Sequence, residues 1–166
     1  MKRLGTRGFT LVEIMIVVAI IALLAAIAIP NVLRGRTSAN ESASIGNIRA
    51  LMSSSEMFRS VNNEYPDAWQ ADMYTTPEPD FGPPSFNVAM SGQTVQGYNY
   101  TYTAGAAPVN TYTLDATPQT GLTTGTRRFR ADQTGLIRHC TCASTACPAP
   151  ADWTTEATID AAPSTC

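Results

Sequence analysis

The residue best placed to do chemistry in this sequence is Glu13, a lone carboxylate at the start of an unbroken apolar run from Ile14 to Ile29. A charged side chain near a bilayer centre costs roughly 2.5–3.5 kcal/mol, so an acid in such a segment indicates a functional site and requires a partner. Cleavage after Gly8 would supply one, because it creates an α-amino group on Phe9. Phe9 lies only four residues before Glu13, which is strained for a pair within one chain. We therefore expect the amine of a neighbouring copy to pair with Glu13.

The apolar segment is long enough to span a membrane. From Phe9 to Ile29 there are 21 residues, and an α-helix rises about 1.5 Å per residue. The segment lacks a small-residue cleavage site at its end, which distinguishes it from a secretory signal and predicts that it remains as an anchor. The preceding cations favour a cytoplasmic N-terminus; they are Lys2, Arg3 and Arg7.

The stretch Gly8-Phe9-Thr10-Leu11-Val12-Glu13, followed by an apolar run, resembles the class III signal of type IV pilins and pseudopilins. In that family a membrane peptidase cuts after the glycine and methylates the new terminal amine, and a glutamate at the fifth processed position supports filament assembly. The resemblance implies that Gly8 is the last leader residue, Phe9 the processed terminus and Glu13 the assembly residue. Pro30 matches a proline found near the same processed position in many members.

The resemblance also implies partners and a location. It predicts a precursor in the bacterial inner membrane, with a cytoplasmic N-terminus and a periplasmic head, that later enters an extracellular pilus or a periplasmic pseudopilus. The implied partners are membrane lipid, the prepilin peptidase, the pilus assembly platform in the inner membrane and further copies of the chain in a homo-oligomeric helical filament. Such subunits serve adhesion, twitching motility, DNA uptake and electron transfer, and the residues do not choose among these tasks.

Net charge argues against nonspecific binding to nucleic acid. The chain of 166 residues carries 11 basic and 13 acidic residues, and loss of residues 1–8 changes the side-chain net charge from −2 to −5, because three cations leave with them. Bulk attraction to phosphates then has the wrong sign, so we expect no specific nucleic-acid partner. The cationic stretch Arg127-Arg128-Phe129-Arg130 is interpreted as a solvated strand edge.

Four cysteines lie in the last 27 residues: Cys140, Cys142, Cys147 and Cys166. An even number in the tail of an exported chain indicates two disulfides, for which three pairings exist. Cys140 and Cys142 share one face of an extended segment and are poorly placed to bond each other. We expect Cys166 to close the tail onto that pair. A zinc site that includes His139 is the alternative, although the paired spacing typical of zinc knuckles is absent.

Residues 9–61 are predicted to form one long helix with two halves. The half 9–30 is apolar all round and requires lipid or other apolar helices. The half 31–61 is amphipathic and is expected to pack on a globular head through Ile45, Ile48, Leu51, Met52 and Phe58. Pro30 removes one backbone hydrogen bond inside the helix, so we expect a kink there.

Residues 62–97 are predicted to be irregular, as in the αβ-loop of the family, because prolines and glycines interrupt them. Interleaved aromatic residues are expected to fasten this loop to the head: Trp69, Tyr74, Phe81 and Phe86. We expect no cofactor and no metal, with one alternative. Carboxylates in the loop could bind Ca²⁺ through oxygen ligands; they are Asp67, Asp72, Glu78 and Asp80.

Residues 98–139 are predicted to form three or four antiparallel strands. Tyrosines alternate with polar residues over 98–102, a pattern typical of a half-buried strand, although such a stripe could also stack bases. Phe129 to Asp132 and Leu136 to Arg138 are expected to form a hairpin with Gly135 at its turn. The predicted class is α+β, a long helix packed on an antiparallel sheet, with residues 140–166 as a disulfide-bonded C-terminal loop.

No catalytic motif of the P-loop, H-E-x-x-H or G-x-S-x-G type occurs, so we do not expect an enzyme. The leading hypothesis is a structural subunit of a type IV pilus. The first alternative is a pseudopilin of a type II secretion system, although the D-P-W-G-x-P-Y-like stretch of major pseudopilins is represented only by Asp67-Ala68-Trp69. The second alternative is a membrane-anchored binding module that does not polymerise.

Overall fold

The long N-terminal helix is continuous in the computed structural model, which describes residues 8–75, 79–90, 94–150, 152–154 and 156–166. This helix, α1, runs Leu11–Asn62. The chain divides into two compact units, the first ending at Gly35 and the second beginning at Arg36. In the first unit every described residue is exposed except the half-buried Ala25.

The C-terminus of α1 is set by a backbone conformation that ends helices. Asn63 has a φ of 60°, and its N–H donates to the carbonyl of Arg59 at 2.8 Å. A residue in the left-handed region directly after a helix satisfies a terminal carbonyl in this way, and asparagine tolerates that region better than most residues.

In the second unit, α1 buries the stripe that its sequence predicts. Ile48 and Leu51 are fully buried, and the other stripe members are partly buried. The intervening charged residues Arg49, Glu56 and Arg59 are exposed. The amphipathic prediction is therefore confirmed. The buried face also carries polar residues that the hydrophobic pattern did not indicate: Glu41, Ser44, Ser54 and Ser55.

In the described part of the segment after α1 there are two short helical elements that the sequence did not predict. A π-helical turn covers Ala71–Thr75, and a short helix, α2, covers Ser85–Ala89. Trp69 and Phe86 are buried, and Tyr74 and Phe81 pack against the core, so these aromatic residues do fasten the segment to the head. The dense prolines predicted irregular structure, but they permit five-residue elements between them.

The described residues after this segment form a seven-stranded sheet. Its strands are β1 Thr94–Val95, β2 Tyr98–Ala104, β3 Tyr112–Pro118, β4 Arg127–Asp132, β5 Ile137–Thr141, β6 Ala157–Thr158 and β7 Ser164–Thr165. Strands β1 to β6 are adjacent in that order and antiparallel, and β7 pairs with β5 in parallel. The four long strands match the predicted number, and the two-residue strands enlarge the sheet. The α+β class is confirmed.

The register aligns one buried row across the four long strands. Tyr100 pairs with Ala116, Ala116 with Phe129, and Phe129 with His139. Directly opposed residues share a face of the sheet, and all four are buried. Tyr98 is buried as well. The alternating tyrosines are therefore packing residues of the core, as interpreted. Because Tyr98 and Tyr100 are buried, their rings are not available for base stacking.

The predicted hairpin between β4 and β5 is confirmed. Ala131 pairs with Ile137, and Gly135 adopts a φ of 81° in the turn, where its N–H donates to the carbonyl of Asp132. A left-handed φ favours glycine because it has no Cβ.

Candidate assembly site

The Gly8–Phe9 junction lies outside the helix and is exposed. Both residues precede the first helical residue, Leu11, and the Phe9 side chain is 80% exposed. An exposed peptide bond outside a helix is accessible to a peptidase, whereas a bond inside a helix is protected by its hydrogen bonds. The other leader residues, 1–7, including the cations that bear on orientation, lie outside the described residues.

Glu13 forms a reciprocal cap with Thr10 at the start of α1. The Glu13 N–H donates to the Thr10 hydroxyl at 3.2 Å, and the Thr10 N–H donates to the Glu13 carboxylate at 3.5 Å. This is the capping box, in which two of the free N–H groups at a helix N-terminus are satisfied by side chains. The carboxylate also lies at the positive end of the helix dipole. The T-x-x-E spacing of Thr10 and Glu13 is the sequence signal of this capping role, which the assembly hypothesis alone does not predict.

Behind this cap, α1 presents apolar side chains on every side. Large residues throughout the first unit are exposed, among them Ile14, Ile21, Leu24 and Ile27, each between 49% and 62%. Among the described helices, α1 is long and apolar enough to cross a membrane. Exposed apolar surface of this extent is unfavourable in water, so the segment requires lipid or other apolar helices around it.

Pro30 lies within α1, and the helix continues through it. Proline has no N–H, so the helical bond that residue 30 would normally donate is missing. The next residue, Asn31, donates from its side-chain amide to the carbonyl of Ile27 at 3.1 Å, which satisfies one carbonyl in this turn. The bend expected at Pro30 stays a prediction.

The cationic stretch on β4 is not a solvated strand edge, and that interpretation is wrong. β4 lies between β3 and β5 in the interior of the sheet. Arg127 pairs with Glu41, and Arg130 binds Asp115 through two hydrogen bonds of 2.9 and 2.7 Å. The sequence alternation could not distinguish an edge strand from a central one, because both alternate.

The face of the sheet opposite α1 is covered by the C-terminal segment. The Arg128 and Arg130 guanidinium groups lie 6.0 and 4.9 Å from the centre of the Trp153 ring. Cations over an indole face are attracted by its quadrupole. Burial lowers the pKa of Arg128, and Asp115 at 3.7 Å partly compensates. The arginines therefore hold the tail on the sheet and do not form an open anionic-ligand site.

The structure pairs Cys140 with Cys166 and Cys142 with Cys147. Cys166 closes the tail as expected. The sulfurs of Cys142, Cys147 and Cys166 lie within 4.8 Å of one another, but zinc binds thiolates and every one of these sulfurs is in a disulfide. His139 is buried on the α1 side of the sheet, packed edge-on at 6.3 Å against the Phe129 ring. The pairing therefore leaves no thiolate beside it for a zinc site.

The acidic residues of the loop do not form a closed cation site among the described residues. One Asp72 carboxylate oxygen accepts hydrogen bonds from the N–H groups of Asp67 and Ala68 at 2.8 and 2.9 Å. Glu78 lies outside the described residues. Asp67, Asp72 and Asp80 instead line an open groove of about 610 Å³ at the C-terminal end of α1.

Comparison with known proteins gives matches for part of the chain. The family model described as the prokaryotic N-terminal methylation motif matches residues 3–29. The type IV major pilin protein PilA of Myxococcus xanthus is 48% identical over 61 residues, covering 37% of this chain and 28% of that protein. The type II secretion system core protein G of Klebsiella michiganensis is 37% identical over 70 residues, covering 42% and 49%.

A further relative is the type IV wide pilus major component PilA4 of Thermus thermophilus, 43% identical over 61 residues that cover 37% of this chain and 47% of that protein. The matched region thus spans about a quarter to a half of the length of these relatives. No solved structure matches the chain. The methylation motif, the capped apolar helix behind it and these relatives together make the N-terminal part of the chain similar to type IV pilins and pseudopilins.

Proposed function

We propose that this chain is a structural subunit, not an enzyme, which is cleaved after Gly8 by a prepilin peptidase, methylated on Phe9 and polymerised into an extracellular type IV pilus. One observation carries the proposal. The exposed Gly8–Phe9 junction directly precedes a helix whose large apolar residues up to Ile29 are exposed and whose first acid, Glu13, caps its first turn. The relatives named as major pilins support the same role.

The apolar half of α1 is suited to two environments in turn. A helix satisfies its own backbone groups, so it can remain in lipid as a precursor and later leave it without exposing backbone polar groups. Alanines along the segment permit close helix approach; they are Ala19, Ala22, Ala25, Ala26 and Ala28. Polymerisation would replace lipid around these residues by the helices of other subunits.

Glu13 is the proposed assembly residue. Its carboxylate and the amine of a neighbouring Phe9 leave water together during docking, and an unpaired buried charge would cost several kcal/mol. A subunit that fails to pair them is therefore rejected. Pro30 is the proposed site at which the helix bends to fit its neighbours, since the bond that proline cannot donate makes bending there less costly.

The proposed route begins in the inner membrane, with the N-terminus cytoplasmic and the head periplasmic. The assembly platform there would add the subunit to the filament base. Two disulfides in the head support exposure to an oxidising compartment. No cofactor is needed for this role. Calcium binding in the acidic loop stays a prediction, checked by calorimetric titration of the purified chain with Ca²⁺.

The test is the intact mass and N-terminal sequence of material sheared from cells, with two variants of Glu13. We expect a chain that begins at methylated Phe9. Glu13→Ala should abolish sheared filaments. Glu13→Gln is the sharper variant, because glutamine also forms a capping box and only the charge is lost. Normal filament yield with Glu13→Gln would contradict the charge-pairing role, and full-length protein confined to membranes would support an anchored binding module that does not polymerise.

A pseudopilin of a type II secretion system is the second candidate, because several relatives are named as core protein G of that system. The same preparation separates the candidates. Processed protein in the cell envelope that is absent from sheared material, with secretion lost on deletion, would favour the pseudopilus.

A further inference from the structure

The groove at the C-terminal end of α1 combines an apolar floor with an acidic wall. Phe58 and Phe81 meet edge-to-face with ring centres 5.3 Å apart and form its floor. Met57 and Val61, one helical turn apart, line its rim and are 52% and 65% exposed. Its volume of about 610 Å³ is within the usual range for pockets that take a ligand or several side chains.

Four carboxylates line this groove: Glu64, Asp67, Asp72 and Asp80. Among the described lining residues there is no basic side chain, and none of the four forms an ion pair with a described residue. Asp72 is held by two backbone N–H groups, so its negative charge is fixed in position. An occupant that complements this groove must be apolar at one end and cationic at the other.

The chain carries such a segment at 29–36. Ile29, Leu33 and Arg36 recur at helical spacing and share one face of α1. All three are exposed, Ile29 and Leu33 by 58% and 56%. An amphipathic helix that places apolar anchors in a groove and a charge at its rim is a common recognition mode.

We infer that in the filament this groove receives the segment 29–36 of a second copy of the chain, with Arg36 facing the carboxylates. The inference deepens the proposed function and rests on it, since it requires subunits to stack. Ile29 and Leu33 would cover the exposed side chains of Met57 and Val61. The contact is repeated at every subunit, so a modest individual affinity would still contribute through multivalency.

The first experiment is photo-crosslinking in intact filaments. The full-length chain carries p-benzoylphenylalanine in place of Val61, sheared filaments are irradiated, and the linked peptides are identified by mass spectrometry. We expect a dimer in which position 61 of one copy is joined to residues 29–36 of another. The matched control carries the same group at Leu136, which is 44% exposed in the β4–β5 hairpin and should not link to that segment.

The second experiment is a charge exchange. Arg36→Glu should lower sheared filament yield about fivefold, the equivalent of about 1 kcal/mol for an interfacial charge pair. Adding Asp80→Arg should restore it. Arg49→Glu is the control, because Arg49 is another exposed arginine of α1 and the change in charge is the same.

The outcomes separate this inference from the proposed function. Filaments that form normally while position 61 links elsewhere, to a foreign protein or to nothing would overturn the groove contact and leave the pilus proposal standing. Failure of Asp80→Arg to rescue Arg36→Glu would also count against the contact. A native chain that is processed but never enters a polymer would overturn both.

Discussion

The Glu41 carboxylate accepts a hydrogen bond from Arg127 Nε at 2.8 Å, joining two residues that are 86 positions apart in the chain. Its other oxygen accepts hydrogen bonds from the N–H and the hydroxyl of Thr126, at 2.7 and 2.5 Å. The Glu41 side chain is 8% exposed. One acid on α1 therefore fixes the start of β4, the strand in the middle of the sheet, and sets the position of the helix on the head.

Replacing Glu41 by alanine should destabilise the head by about 2–3 kcal/mol. The change leaves the Arg127 guanidinium and the Thr126 N–H without their partner, and unpaired buried groups cost more than the pair itself contributes. Because the Arg127 side chain is 29% exposed, water partly solvates its charge, and the expected loss of stability is smaller than for a fully buried pair. Denaturant unfolding of the detergent-solubilised chain measures it.

The control for this prediction is Glu64→Ala, an exposed acid whose removal should change stability by less than about 0.5 kcal/mol. A double-mutant cycle with Arg127→Ala isolates the coupling. Additive effects of the two single changes would show that the ion pair contributes nothing beyond the Thr126 contacts.

Thr10→Val should weaken the first turn of α1, whereas Thr10→Ser should preserve it. Valine cannot accept the Glu13 N–H, and losing a capping hydroxyl costs roughly 0.5–2 kcal/mol. We expect faster amide exchange in residues 11–14 of the processed chain in micelles, with the rest of α1 unchanged. Equal protection in the valine and serine variants would mean that the Thr10 hydroxyl does not stabilise this turn.

Local patterns predicted much of this molecule. The stripe on α1 that contains Ile48 and Leu51 follows from helical spacing, and the β4–β5 hairpin follows from alternation and Gly135. These features depend on residues close in sequence, where spacing alone decides which side chains share a face. The same holds for the apolar segment at the start of α1.

The long-range polar pairs could not be predicted in this way. From helical spacing alone, Glu41 is expected at a solvent-exposed position on α1. The sheet brings Arg127 to it, and the register of the sheet depends on the whole fold. Arg130 and Asp115 pair across β3 and β4 for the same reason. The alternating pattern of β4 predicts which residues share a face, but it does not predict that the strand lies in the middle of the sheet. For this reason the expectation of a solvated strand edge at its arginines is wrong.

Stability of the head should fall as the pH drops below about 6.5, the ordinary pKa of histidine. Burial, reinforced by the Arg127 charge, lowers the pKa of His139, while Glu41 acts in the opposite sense. The unfolded chain then binds a proton that the folded chain does not, so the loss begins near the unfolded pKa and grows until the folded pKa is reached. At pH values well above the unfolded pKa, this loss of stability is absent.

The measurement is the thermal midpoint between pH 7.5 and 5, compared with His139→Phe. The slope cannot exceed about 1.4 kcal/mol per pH unit for one group. Phenylalanine does not titrate, and it removes two ring nitrogens that are buried without a hydrogen-bond partner in the described part of the chain. We expect a flatter profile in the variant, and an unchanged profile would assign the pH dependence to other groups.

The two disulfides should contribute unequally to stability. Cys140–Cys166 closes a loop with a sequence separation of 26, and Cys142–Cys147 closes one of 5. In the chain-entropy description, loops of these lengths correspond to about 3.5 and about 2 kcal/mol, because the longer crosslink removes more conformations from the unfolded chain. Cys140→Ala with Cys166→Ala should therefore destabilise the head by about 1.5 kcal/mol more than Cys142→Ala with Cys147→Ala.

Paired replacement is the suitable design because it leaves no free thiol to exchange with the remaining bridge. Unfolding in guanidinium chloride of both double variants and the parent chain, under non-reducing conditions, gives the comparison. The longer bridge also fastens β7 beside β5, where Cys140 pairs with Ser164, so its loss should expose this strand to proteolysis first. A larger effect from the shorter bridge would show that local packing around Cys142 and Cys147, both buried, outweighs loop entropy in this tail.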